Sequence, residues 1–428
     1  MAPTRKLAAC LVAGVTMLMS ACSSPSPSTT NSPTATDFSG QTLNILFASA
    51  FQVNEKDYIL NTYLPKFESQ YGVKVNADFE TQADGITKIG AEQQSGKIVN
   101  DILYVDTANM APYVSGGWMS DISSVVNSAG VTVTTNYDSQ MTTGGQRWFV
   151  PNSFDVYLLI ANKKALPYLP DGLTQADVEK GITWDQYADW ANAIAAGEGK
   201  GMTMFPANMT GSQLLYPLGG IGLAYGATFP DFSSDAMKQA WGIVAKMAQG
   251  NAFYSEQAQY TAPSDPLSAG DVWLTFAHMG PVGTAYNASP NDYVIGTAPT
   301  GSKGAGSTSG AWSWGIQKGA PDEALAEQFI KFALTPAVNY DFCSQMGGLL
   351  SPIAEVQSLM TSDDVIMAAG SKMITGANLA GVPSTDYSDW NAVKLLYGQV
   401  FDQILTTKAV PSDADLQNFQ TQLQALKK

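Results

Sequence analysis

The 428-residue chain carries 37 Asp and Glu against 22 Lys and Arg, a net charge of −15, which leaves no basic footprint for nucleic acid. Its single histidine, His278, and three cysteines, Cys10, Cys22 and Cys343, build neither a usual zinc site nor a disulfide framework. The length implies two or more domains.

Met1–Ala21 reads as a leader: Arg5 and Lys6 precede an apolar stretch from Leu7 to Met19 that is too short to span a bilayer comfortably. Leu18-Met19-Ser20-Ala21-Cys22 resembles a bacterial lipobox, which implies that Cys22 becomes the acylated first residue of the mature chain. Residues 22–40 are rich in Ser, Thr, Pro and Asn and are expected to form a flexible tether. Loss of Arg5 and Lys6 takes the net charge to about −17. No later apolar run is of membrane-spanning length, so lipid alone is expected to hold the protein at a bilayer. Cys343, left alone, reads as a small buried residue.

Gln41 to Phe47 reads as a first strand, followed by a small-residue loop over 48–52. Helical spacing covers Tyr58 to Tyr71, and Gly72 ends it. Val73 to Ala77 alternates as a strand, Gly85 to Ser95 is helical, and Ile98 to Val105 holds a third strand ending in Asp106-Thr107-Ala108-Asn109. This βαβαβ order predicts a parallel sheet with ligands at the carboxyl ends of its strands. Arg147 to Lys164 is the pivot. Pro151 opens an apolar run, Val156 to Ala161, that reads as a strand buried on both faces and able to carry the chain from one sheet to another. Asp155 sits among apolar neighbours, so its charge must be paired, capped or exposed in a cleft.

Beyond the pivot, Thr183 with Gln186 forms a capping box for a helix in which Trp184 is a packing anchor. Met202 to Phe205 is a short strand, and the Gly219–Gly222 cluster reads as loop and helix termination. Helices are expected at 234–250 and 255–259, strands at 269–276 and 293–299, and a Gly/Ser-rich loop at 301–310. Pro321 to Leu334 is an amphipathic helix. Helices begin again near Ser388 and near Ser412.

These segments, in this order, resemble the extracellular solute-binding proteins of bacterial ABC importers, in the sugar-binding group typified by maltose-binding protein. The resemblance rests on Pro151 with its apolar run to Asn162-Lys163, on DILYVDTANMAPYVSGGWMSDIS from Asp101, on Thr183-Trp184-Asp185, on Gly270 to Phe276, on Tyr293 to Pro299, on Gly310 to Ile316, and on Gly348 to Pro352. Trp273 departs from the pattern, standing where a small residue is usual. The resemblance implies a two-lobe α/β fold of the periplasmic-binding-protein type II class, with hinge crossovers and a cleft between lobes. The first lobe is expected to take 41–152 and 299–350, the second 153–298 and 351–428. It further implies a monomer that hands its ligand to membrane permease subunits at the outer face of the cytoplasmic membrane.

The chemistry of the expected cleft loops points to a neutral oligosaccharide. They combine aromatic faces with Asp, Asn and amide groups, and they lack clustered arginines for phosphate or polycarboxylates. Asp106, Asn109, Asn152 and Asp155 are expected to hydrogen-bond sugar hydroxyls, with His278 at a strand end facing the cleft. The resemblance implies a stacking role for Trp390, whose helix starts after Pro383; Trp312, from the opposite lobe, is the second expected platform. No cofactor or metal is expected. A glycoside hydrolase with paired carboxylates such as Asp106 and Asp155 is the enzymatic alternative. A lipid-anchored carbohydrate-binding module without a transporter is the other.

Overall fold

The computed structural model describes residues 37–428 apart from 50, 52, 208–212 and 385. The leader, Cys22 and most of the tether lie outside the described residues, and Phe38–Lys428 forms one unit. In its first sheet, β1 (Thr42–Ala48) pairs in parallel with β2 (Lys74–Glu80) on one side and β3 (Ile102–Asp106) on the other. The connecting helix after β1 runs as Val53–Tyr58, a π-turn Ile59–Tyr63, and Leu64–Tyr71. Pro65 stands at the start of the last piece, where its missing N–H cannot continue the α-helical ladder. Helix Gln82–Ser95 follows β2, capped by Thr81, whose side chain accepts from the Asp84 N–H.

A small hairpin, β4 (Thr142–Thr143) and β5 (Gln146–Arg147), leads to β6 (Val150–Phe154). The apolar run then divides. β6 closes the edge of the first sheet, where Pro151 is tolerated, and β7 (Tyr157–Asn162), with all six residues buried, enters a second sheet. The break falls at Asp155 and Val156. The second sheet has the order β10-β7-β9-β8, with β8 (Thr203–Met204), β9 (Leu274–His278) and β10 (Tyr293–Gly296). A third sheet joins β11 (Thr300–Gly301), β12 (Gly304–Ser309) and β14 (Asn378–Gly381), while β13 (Ala311–Ile316) returns to the first sheet between β3 and β6.

Two expectations are corrected. Gly219 to Gly222 lie inside the helix Leu215–Tyr225, not in a loop. This helix packs so closely on β12 that a Cβ at Gly306 would stand 2.3 Å from the Gly220 carbonyl, and one at Gly219 would strike the Phe229 ring. Glycine serves here for close approach. The Gly/Ser-rich 301–310 stretch likewise forms a buried strand for most of its length, with Ser307, Thr308 and Ser309 in the interior. Trp184, Trp241 and Trp314 are fully buried, and Cys343 is a buried free thiol. Trp273 is part-buried, its Nε1 donating to the Gly270 carbonyl at 3.0 Å.

Candidate functional site

The site begins where the chain changes sheets. Phe154 and Leu350 exchange two backbone hydrogen bonds of 2.9 Å, which ties the first crossover to the last. Asp155 N–H donates to the Gly310 carbonyl at 3.1 Å, and Ser309 Oγ donates to the Asp155 carbonyl at 2.6 Å, which ties in the middle one. The Asp155 side chain is nearly buried, at 6% residue exposure. Its Oδ2 lies 3.1 Å from His278 Nδ1 and its Oδ1 accepts from Gly310 N at 3.4 Å. The carboxylate thus sits beside the imidazole, and His278 keeps a quarter of its side chain exposed at the carboxyl end of β9.

One wall is the carboxyl end of the first sheet. Asp106 accepts from Gln82 Nε2 at 2.7 Å and Asn109 Nδ2 at 2.8 Å. Trp312 stands directly opposite Asp106 in the β3–β13 ladder, and its Nε1 donates to Ser49 Oγ at 3.1 Å. Trp312 is part-buried, whereas Trp314 turns to the other face and packs 4.3 Å from the Tyr104 ring in the core. Burial pushes the Asp106 carboxyl up, against the donors Asn109 and Gln82, which lower it.

A second group of side chains stands on helix Trp390–Thr407, capped by Asp389, whose carboxylate accepts from Ala392 N at 3.0 Å. Trp390 is part-buried, its ring centroid 6.1 Å from that of Phe229 in an edge-to-face arrangement, and its Nε1 donates to Tyr216 Oη at 3.3 Å. One turn along, Lys394 Nζ lies 5.5 Å from the centroid of the Tyr216 ring. Burial pushes the Tyr216 hydroxyl well up, and the Asp106 and Asp155 carboxylates push in the same direction, so Tyr216 stands within the field of both. Burial lowers the Lys394 ammonium, and the Asp106 charge opposes that. Asp106, Asn109, Trp312, Trp390, Asp155 and His278 thus gather about one region. Gln82, Tyr216 and Lys394 join them unannounced by the sequence reading, although Lys394 lies four residues beyond Trp390, on the same helix face.

Asn152 departs from the expectation of a direct ligand contact. The β6–β13 register slips at this residue, with Trp312 opposite Ser153 and Ser313 opposite Pro151. Asn152 is fully buried, and both its carbonyl and its Oδ1 accept from Asn339 Nδ2, at 2.8 and 3.1 Å. Ser351 donates to Asn339 Oδ1 and Cys343 Sγ lies 3.7 Å from it, so this network braces the crossovers from within.

Chemically the region offers carboxylate and amide acceptors and donors, one ammonium and aromatic faces. Among the described residues no group of three or more His, Cys, Asp or Glu could hold a metal, and no helix is long and apolar enough to cross a membrane. The chain matches the family model of bacterial extracellular solute-binding proteins over residues 62–371. No curated protein sequence matches it. Among solved structures it is similar to an ABC transporter solute-binding protein from Thermotoga lettingae bound with α-D-tagatose, at 18% identity over 90% of this chain and 100% of that one, TM-score 0.73. The sugar-binding protein MalE of Xanthomonas citri is similar at 15% identity, over 90% and 97%, TM-score 0.71. UgpB of Mycobacterium tuberculosis in complex with glycerophosphocholine is similar at 15% identity, over 90% and 98%, TM-score 0.71. At such identities the likeness speaks for the two-lobe fold.

Proposed function

The chain belongs to the bacterial extracellular solute-binding proteins, and from that premise we propose that it is the substrate-binding component of an ABC importer that captures a neutral carbohydrate, an oligosaccharide, between two lobes and delivers it to permease subunits. The observation that carries the carbohydrate reading is the pairing of part-buried Trp312 on one wall and Trp390 on the other with the polar groups of Asp106, Asn109, Tyr216 and His278 between them. Sugars present flat C–H faces and hydroxyls, and this set matches both. The solute-binding relatives with tagatose and the sugar-binding MalE support the same class. A phosphodiester such as that held by UgpB is disfavoured: Arg147 is the only arginine after the leader, and it is bonded to Asp138.

Asp155 acts mainly by fixing the crossovers and orienting His278, and Asn152 supports from behind. The lobes divide near 41–152 with 311–350, and 153–309 with 351–428. The return expected at 299 moves to Gly310, because β12 packs on helix Leu215–Tyr225 of the second lobe. Closure of the lobes presents the loaded form to the permease. The protein works as a monomer by binding, without chemistry on its ligand. Cys22 is acylated and holds it at the outer face of the cytoplasmic membrane, so Cys22→Ser releases the protein or leaves the precursor uncut; unchanged membrane retention would contradict the anchor. Thermal-shift screening against neutral di- and trisaccharides tests the ligand class: at least one raises the melting temperature, and the reading fails if none does while a charged solute does.

A further inference from the structure

Thr107 stands behind Asp106, at a junction of three parts of the chain. β3 and β13 run antiparallel, and their backbone ladder ends with Asp106 opposite Trp312. The next pair in that register is Thr107 and Ala311, but at Thr107 the chain turns into a short 3-10 helix, Thr107–Asn109. The Ala311 N–H is met instead by the Thr107 side chain, whose Oγ1 accepts from it at 3.3 Å. The same hydroxyl donates to the Val382 carbonyl at 2.7 Å. Val382 follows β14, which pairs with β12, the strand packed on helix Leu215–Tyr225. Its own N–H donates to the Ser309 carbonyl at 2.9 Å, beside the middle crossover. One buried hydroxyl, on a residue with 4% exposure, thus continues the ladder where the backbone leaves it and joins that ladder to β14.

We infer that Thr107 is a positioning residue for ligand capture: its hydroxyl holds the Asp106–Trp312 end of the first sheet in place against β14. The inference rests on the carbohydrate function proposed above. Thr107 is not itself a ligand contact, because its hydroxyl proton is committed to Val382 and little of its surface is exposed. It acts through Asp106, its neighbour in the chain, and through Trp312, which follows Ala311. Side chains held in place before binding cost less to order when a ligand arrives, so loosening them lowers affinity. Valine keeps the branched shape of threonine but has neither donor nor acceptor. It would leave the buried Ala311 N–H and Val382 carbonyl without this partner, which is the costly way to lose a hydrogen bond. A second hydroxyl gives the contrast. Tyr137 Oη lies 2.5 Å from Ser309 Oγ, which itself donates to the Asp155 carbonyl, so Tyr137 is the donor. That bond ends on the crossover and does not reach Asp106 or Trp312.

The test uses the mature protein with T107V, T107A, T107S, Y137F, D106N and the T107V/D106N double variant. The probes are maltose, maltotriose, cellobiose and mannobiose, measured by calorimetry, beside hydrogen exchange of the ligand-free proteins read by mass spectrometry. A sugar bound by the wild type should lose about tenfold in affinity in T107V and in T107A. T107S, which keeps the hydroxyl, should bind as the wild type does, and so should Y137F. The double variant should lose less than the product of the single losses, because Thr107 acts through Asp106. Ligand-free T107V should exchange faster in the peptides that contain Asp106, Ala311 and Val382 and as the wild type does elsewhere. Wild-type affinity in T107V and T107A overturns the claim. So does an equal loss in Y137F, which would make any broken crossover bond sufficient, and so do T107V and D106N losses that multiply in full. If no probe binds the wild type, the carbohydrate reading fails for this panel, and exchange still decides the positioning. Faster exchange confined to those three peptides upholds it, and unchanged or uniformly faster exchange refutes it.

Discussion

Two polar clusters of this chain end in opposite states. Under the crossovers, Asn152, Asn339, Ser351 and Cys343 are bonded to one another in the interior, closed to solvent, and Asn339 serves three partners, while Asn152 Nδ2 has none. In the cleft, Asp106, Tyr216, Trp390 and Lys394 are each held from one side and left part-open on the other, Tyr216 excepted. Hydrogen bonds made within the fold stabilise it, and polar groups left open cost stability until something binds. On the proposed function, the contrast separates residues that brace the crossovers from those offered to a ligand.

The largest effect should come from breaking the closed cluster. Asn339→Ala strips the Asn152 carbonyl and side chain of their shared donor and should lower stability by about 2–3 kcal/mol. Chemical denaturation measures this, and ligand affinity of the protein that remains folded should change little. Trp390→Ala attacks the open cluster. A fully buried tryptophan costs about 3–5 kcal/mol when truncated. Trp390 is part-buried, so the ligand-free loss should be smaller, while most of the stabilisation by a bound sugar disappears. Paired melting curves with and without sugar separate the two, and a large ligand-free loss with ligand stabilisation intact would assign Trp390 to the core.

Asp106→Asn sharpens the comparison by its dependence on pH. Burial raises the Asp106 carboxyl in the fold. A carboxyl raised on folding holds its proton more tightly in the folded chain, so its contribution to stability is full below the unfolded value, about 3.9. That contribution is lost as pH rises through the raised folded value. The variant should remove this loss, so that ligand-free Asp106→Asn gains on the wild type as pH climbs above about 4. Its sugar affinity should fall about tenfold. Melting curves across pH check the first and calorimetry the second.

How much of this was legible in the sequence follows the range of the interactions. The β1–β3 sheet and the change of sheets near Asp155 rest on local alternation, apolar runs and Pro151, and they could be read. The glycine helix Leu215–Tyr225 and the strand β12 could not, because what favours glycine there is the approach of two backbones distant in sequence. Asp106, Trp312 and Trp390 stand at ends of elements and carried a local signal. Tyr216 carried none: its place depends on Trp390, 174 residues away. Asn152 misled for the opposite reason, since a polar residue beside a crossover looks like cleft until a register slip turns it inward.

The central claim is that the two walls close on a carbohydrate, and small-angle scattering on the mature protein tests it most directly. With a saturating sugar identified by the thermal-shift screen, the radius of gyration should decrease, and Trp390→Ala at the same sugar concentration should keep the ligand-free value. Saturated binding, verified by calorimetry, with an unchanged radius of gyration in the wild type would contradict it.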